Sequence, residues 1–383
     1  MASGYRYAVM NEVDSLAKSV RQQVQTELSS FLGQQRSYIT DIAPELVPVA
    51  DAMEEYLLEG GKRLRPLFAY AGFIATGATT TLADIRAMAS LELLQACALI
   101  HDDVMDGSDS RRGRPSIHRR FESNHVNEKL VGDPVKFGAS AAILLGDLAL
   151  VWSDQMLHSS GISPESLLAV LRVHDEMRVE LMAGQFLDVR EAGENKHSVA
   201  KSLQIARYKS GKYTIERPLH FGATIARPEL ADGSEFLVQL SRYGIPLGEA
   251  FQMRDDILGV FGNPDETGKP AGDDLREGKR TALIALALEK ADASGQEKLS
   301  QLLGSPDLSQ SDVDALRTII KESGAVAEIE SLIERLFQES QKAIDSEAIA
   351  DSAKEFLTAL AHSAVKRSEE HTSELQSRLQ ISY

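Results

Sequence analysis

An intramolecular disulfide is excluded at once, because the chain holds a single cysteine, Cys97. A lone thiol fits a reducing compartment. Positive charge is also in short supply: 41 Lys and Arg stand against 57 Asp and Glu, for a net charge of −16. That balance argues against nucleic acid or an anionic membrane as a partner. An anionic substrate stays open, since a cation cluster or bound metal can reverse the field inside one cleft. The longest apolar run, residues 137–152, is interrupted by Asp147 and is expected to be too short for a membrane span. Arg6, Glu12, Asp14 and Lys18 break up the N-terminal stretch, so no signal peptide is expected. The expectation is a cytoplasmic protein without stable membrane insertion. Alternating strand-like runs are scarce, and no repeat at a solenoid period occurs.

What is present is helical periodicity. Ala and Leu dominate, and apolar residues recur at spacings of three and four. With 43% hydrophobic residues in 383, the chain can bury a large core. One helix is expected over 82–100, its stripe of Leu91, Leu94 and Ala98 continuing to Met105. Others are expected over 139–156, 164–189, 201–225, 235–260, 281–293, 313–323, 326–344 and 351–365. The fold class is therefore all-α, one large bundle. Two polar, glycine-containing stretches, 107–134 and 262–278, read as long loops and candidate lids.

The strongest chemical signal is Asp102-Asp103-Val104-Met105-Asp106. On a helix, spacings of three and four put these carboxylates on nearby faces. Crowded anions next to the apolar turn 97–100 repel one another, and burial makes that worse. A bound divalent cation removes the problem, and all-oxygen ligands suit Mg²⁺. An exposed acidic helix end is the competing reading, but acids at a helix C-terminus oppose the macrodipole. A second pair, Asp255-Asp256, ends another apolar helix, and Asp188 closes Gly184-Gln185-Phe186-Leu187-Asp188. Carboxylates on three helices can converge across a bundle. Cations accompany them in Gly60-Gly61-Lys62-Arg63-Leu64-Arg65-Pro66, in Arg111-Arg112-Gly113, and at Lys209 and Lys269. Arg and Lys both bind phosphate, so acids plus cations suggest a metal-bridged diphosphate beside a second anion.

With GGKRLRP, LELLQACALIHDDVMDGSDSRRGRP, GQFLD, YKSGKYT, FQMRDDILGVFG and GKPAGDDLREGKRTAL in this order, the chain resembles the trans-isoprenyl diphosphate synthases, most closely the geranylgeranyl diphosphate synthases. The resemblance implies an isoprenoid synthase-type helical bundle with a central cavity, usually a homodimer, that condenses isopentenyl diphosphate with an allylic diphosphate. It implies that Asp102, Asp106 and Asp255 ligate Mg²⁺, three ions with substrate bound, supported by Asp103 and, through water, Asp256. Gln185 and Asp188 would lie beside the substrate. Lys62, Arg65, Gln95 and Arg112 would hold the homoallylic diphosphate, Arg111, Lys209 and Lys269 would neutralise the allylic one, and Gln252 would lie near the developing cation. Two departures stand out. Gly259 occupies the last position of the second acidic motif, and Ser210 replaces a threonine while keeping a hydroxyl.

Product length should depend on what blocks the tunnel along the helix before Asp102. Cys97 and Ala98 are small, so a tail is expected to pass them and meet Leu94 or Leu93 one turn, about 5.4 Å, deeper. A twenty-carbon product is expected, with farnesyl or longer polyprenyl diphosphates as alternatives. His101 reads as a packing histidine, since the departing diphosphate can take the proton. A terpene cyclase, an HD-type phosphohydrolase and a non-catalytic subunit of a heteromeric synthase are the rival readings. The synthetase domain is expected over 1–366. Residues 367–383 read as a translated sequencing adapter, and so as a non-native tail.

Overall fold

The computed structural model describes residues 2–194, 198–262, 272–305 and 307–365. In chain order, α1 (Ala2–Ile42), α2 (Val47–Leu58) and α3 (Leu64–Ala75) lead into α4 (Leu82–Asp106). A hairpin of β1 (Ser110–Arg111) and β2 (Arg114–Pro115), with Arg111 opposite Arg114, precedes α5 (Ile117–Asn127) and α6 (Pro134–His158). Next come α7 (Pro164–Ala192), α8 (Val199–Ala206), a π-helical stretch (Arg207–Glu216) and α9 (Arg217–Ala226). Then follow α10 (Glu235–Phe261), the one-turn α11 (Asp273–Arg276), α12 (Ala282–Lys290), α13 (Ala293–Leu302), α14 (Gln310–Glu322), α15 (Ala325–Ile344) and α16 (Asp351–Val365). The all-α expectation holds: the hairpin is the only sheet among the described residues.

Helix α4 organises the bundle. Thr81 and Asp84 close a capping box at its start, each side chain accepting the other's backbone N–H, which satisfies donors the helix cannot. Gly107 ends it. Between these stops its residues are buried on several faces, and it packs on α6 and also on α1, α3 and α5. The hydroxyl of Ser153 on α6 donates to the Ser90 carbonyl of α4 at 2.9 Å, both buried. Helix α10 packs on α15, on the π stretch and on α16. The two acidic motifs are therefore set on long, internally supported helices.

The structure corrects several sequence expectations. The helix read over 82–100 runs on to Asp106 and ends at Gly107, and the acidic motif lies at its C-terminal end as the sequence reading placed it. Met105 is 49% exposed and does not continue the core stripe. Stretch 107–134 is not a long loop but holds the hairpin and α5. The single helix expected over 201–225 is three pieces with a π segment in the middle. Helix α1 was missed because its apolar stripe is narrow: Val20, Val24, Leu28, Phe31 and Ile39 are buried along a mostly polar surface. The apolar run 137–152 sits in α6, which by length and composition is long and apolar enough to cross a membrane, with mean hydropathy 1.6 over 18 residues. Here Ala142, Leu145, Ala149, Trp152 and Met156 on that helix are buried in protein. Residues 263–271, including Lys269, and the expected tail 367–383 lie outside the described residues.

Candidate active site

Acids at the C-terminal end of a helix need external cations, and three arrive from three different elements. The first is Arg111 of β1. Its Nε donates to both carboxylate oxygens of Asp103, at 2.7 and 2.9 Å, and its Nη2 lies 2.6 Å from Asp103 Oδ1 and 3.6 Å from Asp102 Oδ2. Burial works against the Arg111 charge, but Asp103 outweighs it and keeps the guanidinium protonated. Arg111 is thus spent chiefly on fixing Asp103, with its edge turned to Asp102.

The second cation is Lys209. Its Nζ donates to Asp102 Oδ1 at 3.0 Å and to Asp188 Oδ2 at 2.6 Å. Gln185 Nε2 donates to the same Asp102 oxygen at 2.9 Å. Burial pushes the Asp102 carboxyl up, yet Lys209, Lys279 and Arg111 together hold it below the ordinary range. Burial likewise works against the charge on Lys209, and Asp102 and Asp188 reverse that. The π stretch delivers this side chain. It lies between α7 and α10 at separations that only glycine permits: a Cβ on Gly184 would come 2.3 Å from Lys209 N, and one on Gly248 would come 2.6 Å from Gly211 O. An inserted residue in a helical turn often marks a functional position, and here it brings α8–α9 against both walls. Ser210 is half-buried in the same stretch.

The third cation is Lys279, just past α11. Its Nζ lies 2.7 Å from Glu277 Oε2, 3.2 Å from Asp106 Oδ2 and 3.6 Å from Asp274 Oδ1. Glu277 is tied to the end of α4 by Ser108, whose hydroxyl donates to Oε1 at 2.5 Å. Lys279 is close to Asp106 Oδ2, but not aligned for a hydrogen bond, so that buried oxygen keeps an open acceptor position. Burial, with help from Asp102 and against Lys279, raises the Asp106 pKa. An anionic oxygen held in this way has room for one more cation.

On α10, Asp255 is half-buried and Asp256 is 5% exposed. Gln252 Nε2 donates to Asp256 Oδ1 at 2.8 Å. Burial first, then Asp274 and Asp255, push the Asp256 carboxyl up to about 8. Asp256 is therefore biased toward the protonated form and accepts from Gln252.

The cations expected for the second anion divide. Arg65 is buried, stacked 4.0 Å over the Tyr213 ring, with Nη2 donating to Thr214 Oγ1 at 2.9 Å. Gln95 and Arg112 share a small recess with Tyr56, Arg63, Glu92 and Leu99. Arg112 takes a left-handed backbone (φ 54°), and its Nη1 lies 3.4 Å from the Tyr56 and Glu59 carbonyls. Lys62 precedes α3, and its carbonyl accepts from Arg21 Nε at 3.2 Å. Sequence reasoning passed over Arg63, Glu92, Asp274, Glu277 and Lys279. All five stood inside quoted motifs, but nothing in their spacing announced which partner each would meet.

Along the expected tunnel, Leu93, Leu94 and Cys97 are buried and Ala98 is half-buried. Burial pushes the Cys97 thiol up to about 12, so it stays an S–H, lying 3.8 Å from His101 Nδ1. His101 Nε2 donates to the Ile143 carbonyl of α6 at 3.0 Å, and its ring rests where a Cβ on Gly146 would otherwise sit. His101 is thus packed against α6.

Comparison with known proteins shows the family. The polyprenyl synthetase family model matches residues 47–320. A geranylfarnesyl diphosphate synthase from Aeropyrum pernix is 35% identical over 316 residues, 80% of this chain and 91% of that protein. A geranylgeranyl diphosphate synthase from Sulfolobus acidocaldarius is 30% identical over 293 residues, 75% of this chain and 80% of that one. The crystal structure of a geranylgeranyl pyrophosphate synthase from Corynebacterium glutamicum, complexed with isoprenyl diphosphate and magnesium, superposes with a TM-score of 0.85 at 42% identity, covering 91% of this chain and 99% of that one. The chain belongs to the polyprenyl synthetase family and is a prenyltransferase of the kind that condenses isopentenyl diphosphate with an allylic diphosphate.

Proposed function

We propose that the chain is a magnesium-dependent geranylgeranyl diphosphate synthase, acting as a cytoplasmic homodimer. The observation that carries the metal-dependent reading is the alternating series Asp188–Lys209–Asp102–Arg111–Asp103, with Lys279 beside Asp106. Such a series can exchange its internal partners for a diphosphate and its counter-ions. No group of three or more acid, histidine or cysteine side chains is already drawn together as a metal cage among the described residues. That suits Mg²⁺, which takes one or two carboxylates and completes its octahedron with water and phosphate oxygens. Asp102 and Asp106 would hold two ions and Asp255 a third. When bound, the ions neutralise the leaving diphosphate.

The residues do the rest. Lys209 and the edge of Arg111 turned to Asp102 stabilise the negative charge that grows on the departing diphosphate, a stabilisation largest in the transition state. Lys62, Arg65, Gln95 and Arg112 hold isopentenyl diphosphate so that its double bond stands against the allylic carbon. The proton is lost to the departed diphosphate, in keeping with His101 being committed to α6. The Cys97/Ala98 pair lets the tail pass to Leu94 and Leu93, which supports a twenty-carbon product, and a geranylgeranyl synthase stands among the matched proteins. A second copy of the chain is supported by the exposed apolar side chains of α6 and α7, among them Ile143, Leu144, Val151, Leu168, Val179 and Phe186. One synthetase domain over 1–366 is consistent with the family match. Resequencing the source locus tests the tail.

The functional test incubates the purified chain with Mg²⁺, isopentenyl diphosphate and each allylic primer, and chromatographs the dephosphorylated products. A dominant twenty-carbon alcohol, lost in Asp102→Ala and in EDTA, is the expected result. Another length would reject the tunnel argument. No elongation by folded protein would reject the synthase reading.

A further inference from the structure

One face of α7 meets the π-helical stretch at steps of four residues, the spacing that aligns side chains along a helix. Asp188 accepts from Lys209 Nζ, and Gly184 lies against the Lys209 backbone. One turn back, Glu180 meets Lys212 of the stretch and Arg217, the residue that follows it. A further turn back, Glu176 Oε2 lies 2.9 Å from Arg217 Nη1. The stripe Glu176, Glu180, Gly184 and Asp188 therefore follows the chain from Arg217 back to Lys209.

Glu180 is the member that grips twice. Arg217 Nε donates to Glu180 Oε2 at 2.7 Å and Arg217 Nη2 donates to Oε1 at 2.8 Å, a two-point pair of the strong kind. Lys212 Nζ donates to the same Oε1. The Lys212, Arg217 and Glu180 side chains are 12, 14 and 18% exposed, so water screens this cluster less than it would a surface pair. Lys212 and Arg217 are also joined through the backbone: the Arg217 N–H donates to the Lys212 carbonyl, an i→i+5 bond. In an α-helix, positions five apart point about 140° away from each other. A π turn closes over five residues and brings both side chains to one side, where a single carboxylate can take them. Glu216 backs the cluster. Its Oε2 lies 3.5 Å from Lys212 Nζ, and its Oε1 accepts from Ser241 of α10 at 2.6 Å.

We propose that Glu180 is a clamp that holds the π winding through Lys212 and Arg217, and so positions Lys209 for the allylic diphosphate. Glu180 acts through Lys209 and is a positioning residue rather than a catalytic one. Lys209 lies three residues before Lys212. Rewinding the stretch as an α-helix would turn it about its axis and carry Lys209 Nζ away from its place between Asp102 and Asp188. The inference rests on the role given to Lys209 above.

The test combines hydrogen exchange with steady-state kinetics on the full chain. The variants are Glu180→Gln, Lys212→Met, Lys212→Arg, Glu176→Gln, Lys209→Ala and Lys209→Ala/Lys212→Met, each checked for folding by circular dichroism. Without substrate or metal, the amides of 207–217 should exchange faster in Glu180→Gln and Lys212→Met, with the rest of α7 and α10 as in wild type. Misplacing a reacting group by about 1 Å can cost about 100-fold, so kcat should fall by about 10-fold in both, with the KM for isopentenyl diphosphate unchanged. Lys212→Arg should restore both readouts, and Glu176→Gln should alter neither, because Arg217 keeps Glu180. In Lys209→Ala, which has no ammonium left to misplace, adding Lys212→Met should lower kcat little further. Wild-type exchange or wild-type kcat in the folded Glu180→Gln and Lys212→Met, or the same factor of loss with and without Lys209, would overturn the clamp. Should Glu180→Gln not fold, the Lys212 variants decide, since Arg217 still neutralises Glu180 there. A wild-type kcat in Lys209→Ala would instead overturn the role of Lys209.

Discussion

Replacing Arg63 with methionine would strand a charge inside the bundle. Arg63 and Glu92 are 5% and 3% exposed, and Arg63 Nη1 meets Glu92 Oε2 at 2.6 Å. The Nη2 group donates to the Leu57 carbonyl at 2.5 Å and to Gln25 Oε1 at 2.7 Å. One guanidinium therefore ties α1, α2 and α4 to the start of α3, from a left-handed backbone position with φ 53°. Removing one member of a buried pair costs about 3–5 kcal/mol, because the other charge is left uncompensated. Glu92→Gln keeps an acceptor and should cost less, about 1–3 kcal/mol. The double variant Arg63→Met/Glu92→Met removes both charges and should lose less than the sum of the two single methionine variants, by about 2 kcal/mol. Equilibrium urea unfolding measures this, with Trp152 as reporter: it is the only tryptophan, 3% exposed, and its ring lies 6.4 Å edge-on from Phe31 of α1. Because Arg63 and Glu92 line the recess of Gln95 and Arg112, the KM for isopentenyl diphosphate should rise more than kcat falls. A loss below about 1 kcal/mol in Arg63→Met, the range of an exposed pair, would refute the reasoning, as would strict additivity.

Three further outcomes are expected. Burial holds the His174 and His220 imidazoles neutral, with pKa values lowered to about 4. The unfolded chain binds those protons first, so this stability is full above about 6.5 and is lost as pH falls towards about 4, by up to about 3 kcal/mol per histidine; urea midpoints that do not fall between those pH values would reject it. Cys97→Phe should shorten the main product by at least one isoprene unit, read by chromatography, and an unchanged distribution would remove Cys97 from the tunnel. Gly248→Ala sets a methyl 2.6 Å from Gly211 O, a backbone atom that cannot rotate away. Overpacking of about 1–3 kcal/mol should outweigh the helix propensity gained, about 1 kcal/mol, and kcat should drop as Lys209 shifts; wild-type kcat would show that the close approach does not position that lysine.

The helical class was legible because apolar residues recur every three to four positions, a period that only a helix turns into one face. The place of Asp102, Asp103 and Asp106 was legible too, since their spacing and Gly107 put them at one helix end. Helix α1 was not, because a narrow stripe suffices when a neighbour covers it. The π stretch was invisible for a different reason. Its sequence keeps a helical period, and the inserted residue is accommodated by contact with α7 and α10 at Gly184 and Gly248.

The sequence by itself thus determined which charges exist and which local faces they share, because those follow from backbone period and residue chemistry. Only the tertiary structure decided which charges meet. Arg111 went to Asp103, Lys209 to Asp102 and Asp188, and Lys279 to Asp106 and Asp274. Burial and neighbouring acids raised the Asp256 pKa, and a carboxylate from α11 filled the space beside Gly259. Pairing and desolvation depend on distances between segments far apart in the chain, and those distances do not exist until the helices have packed.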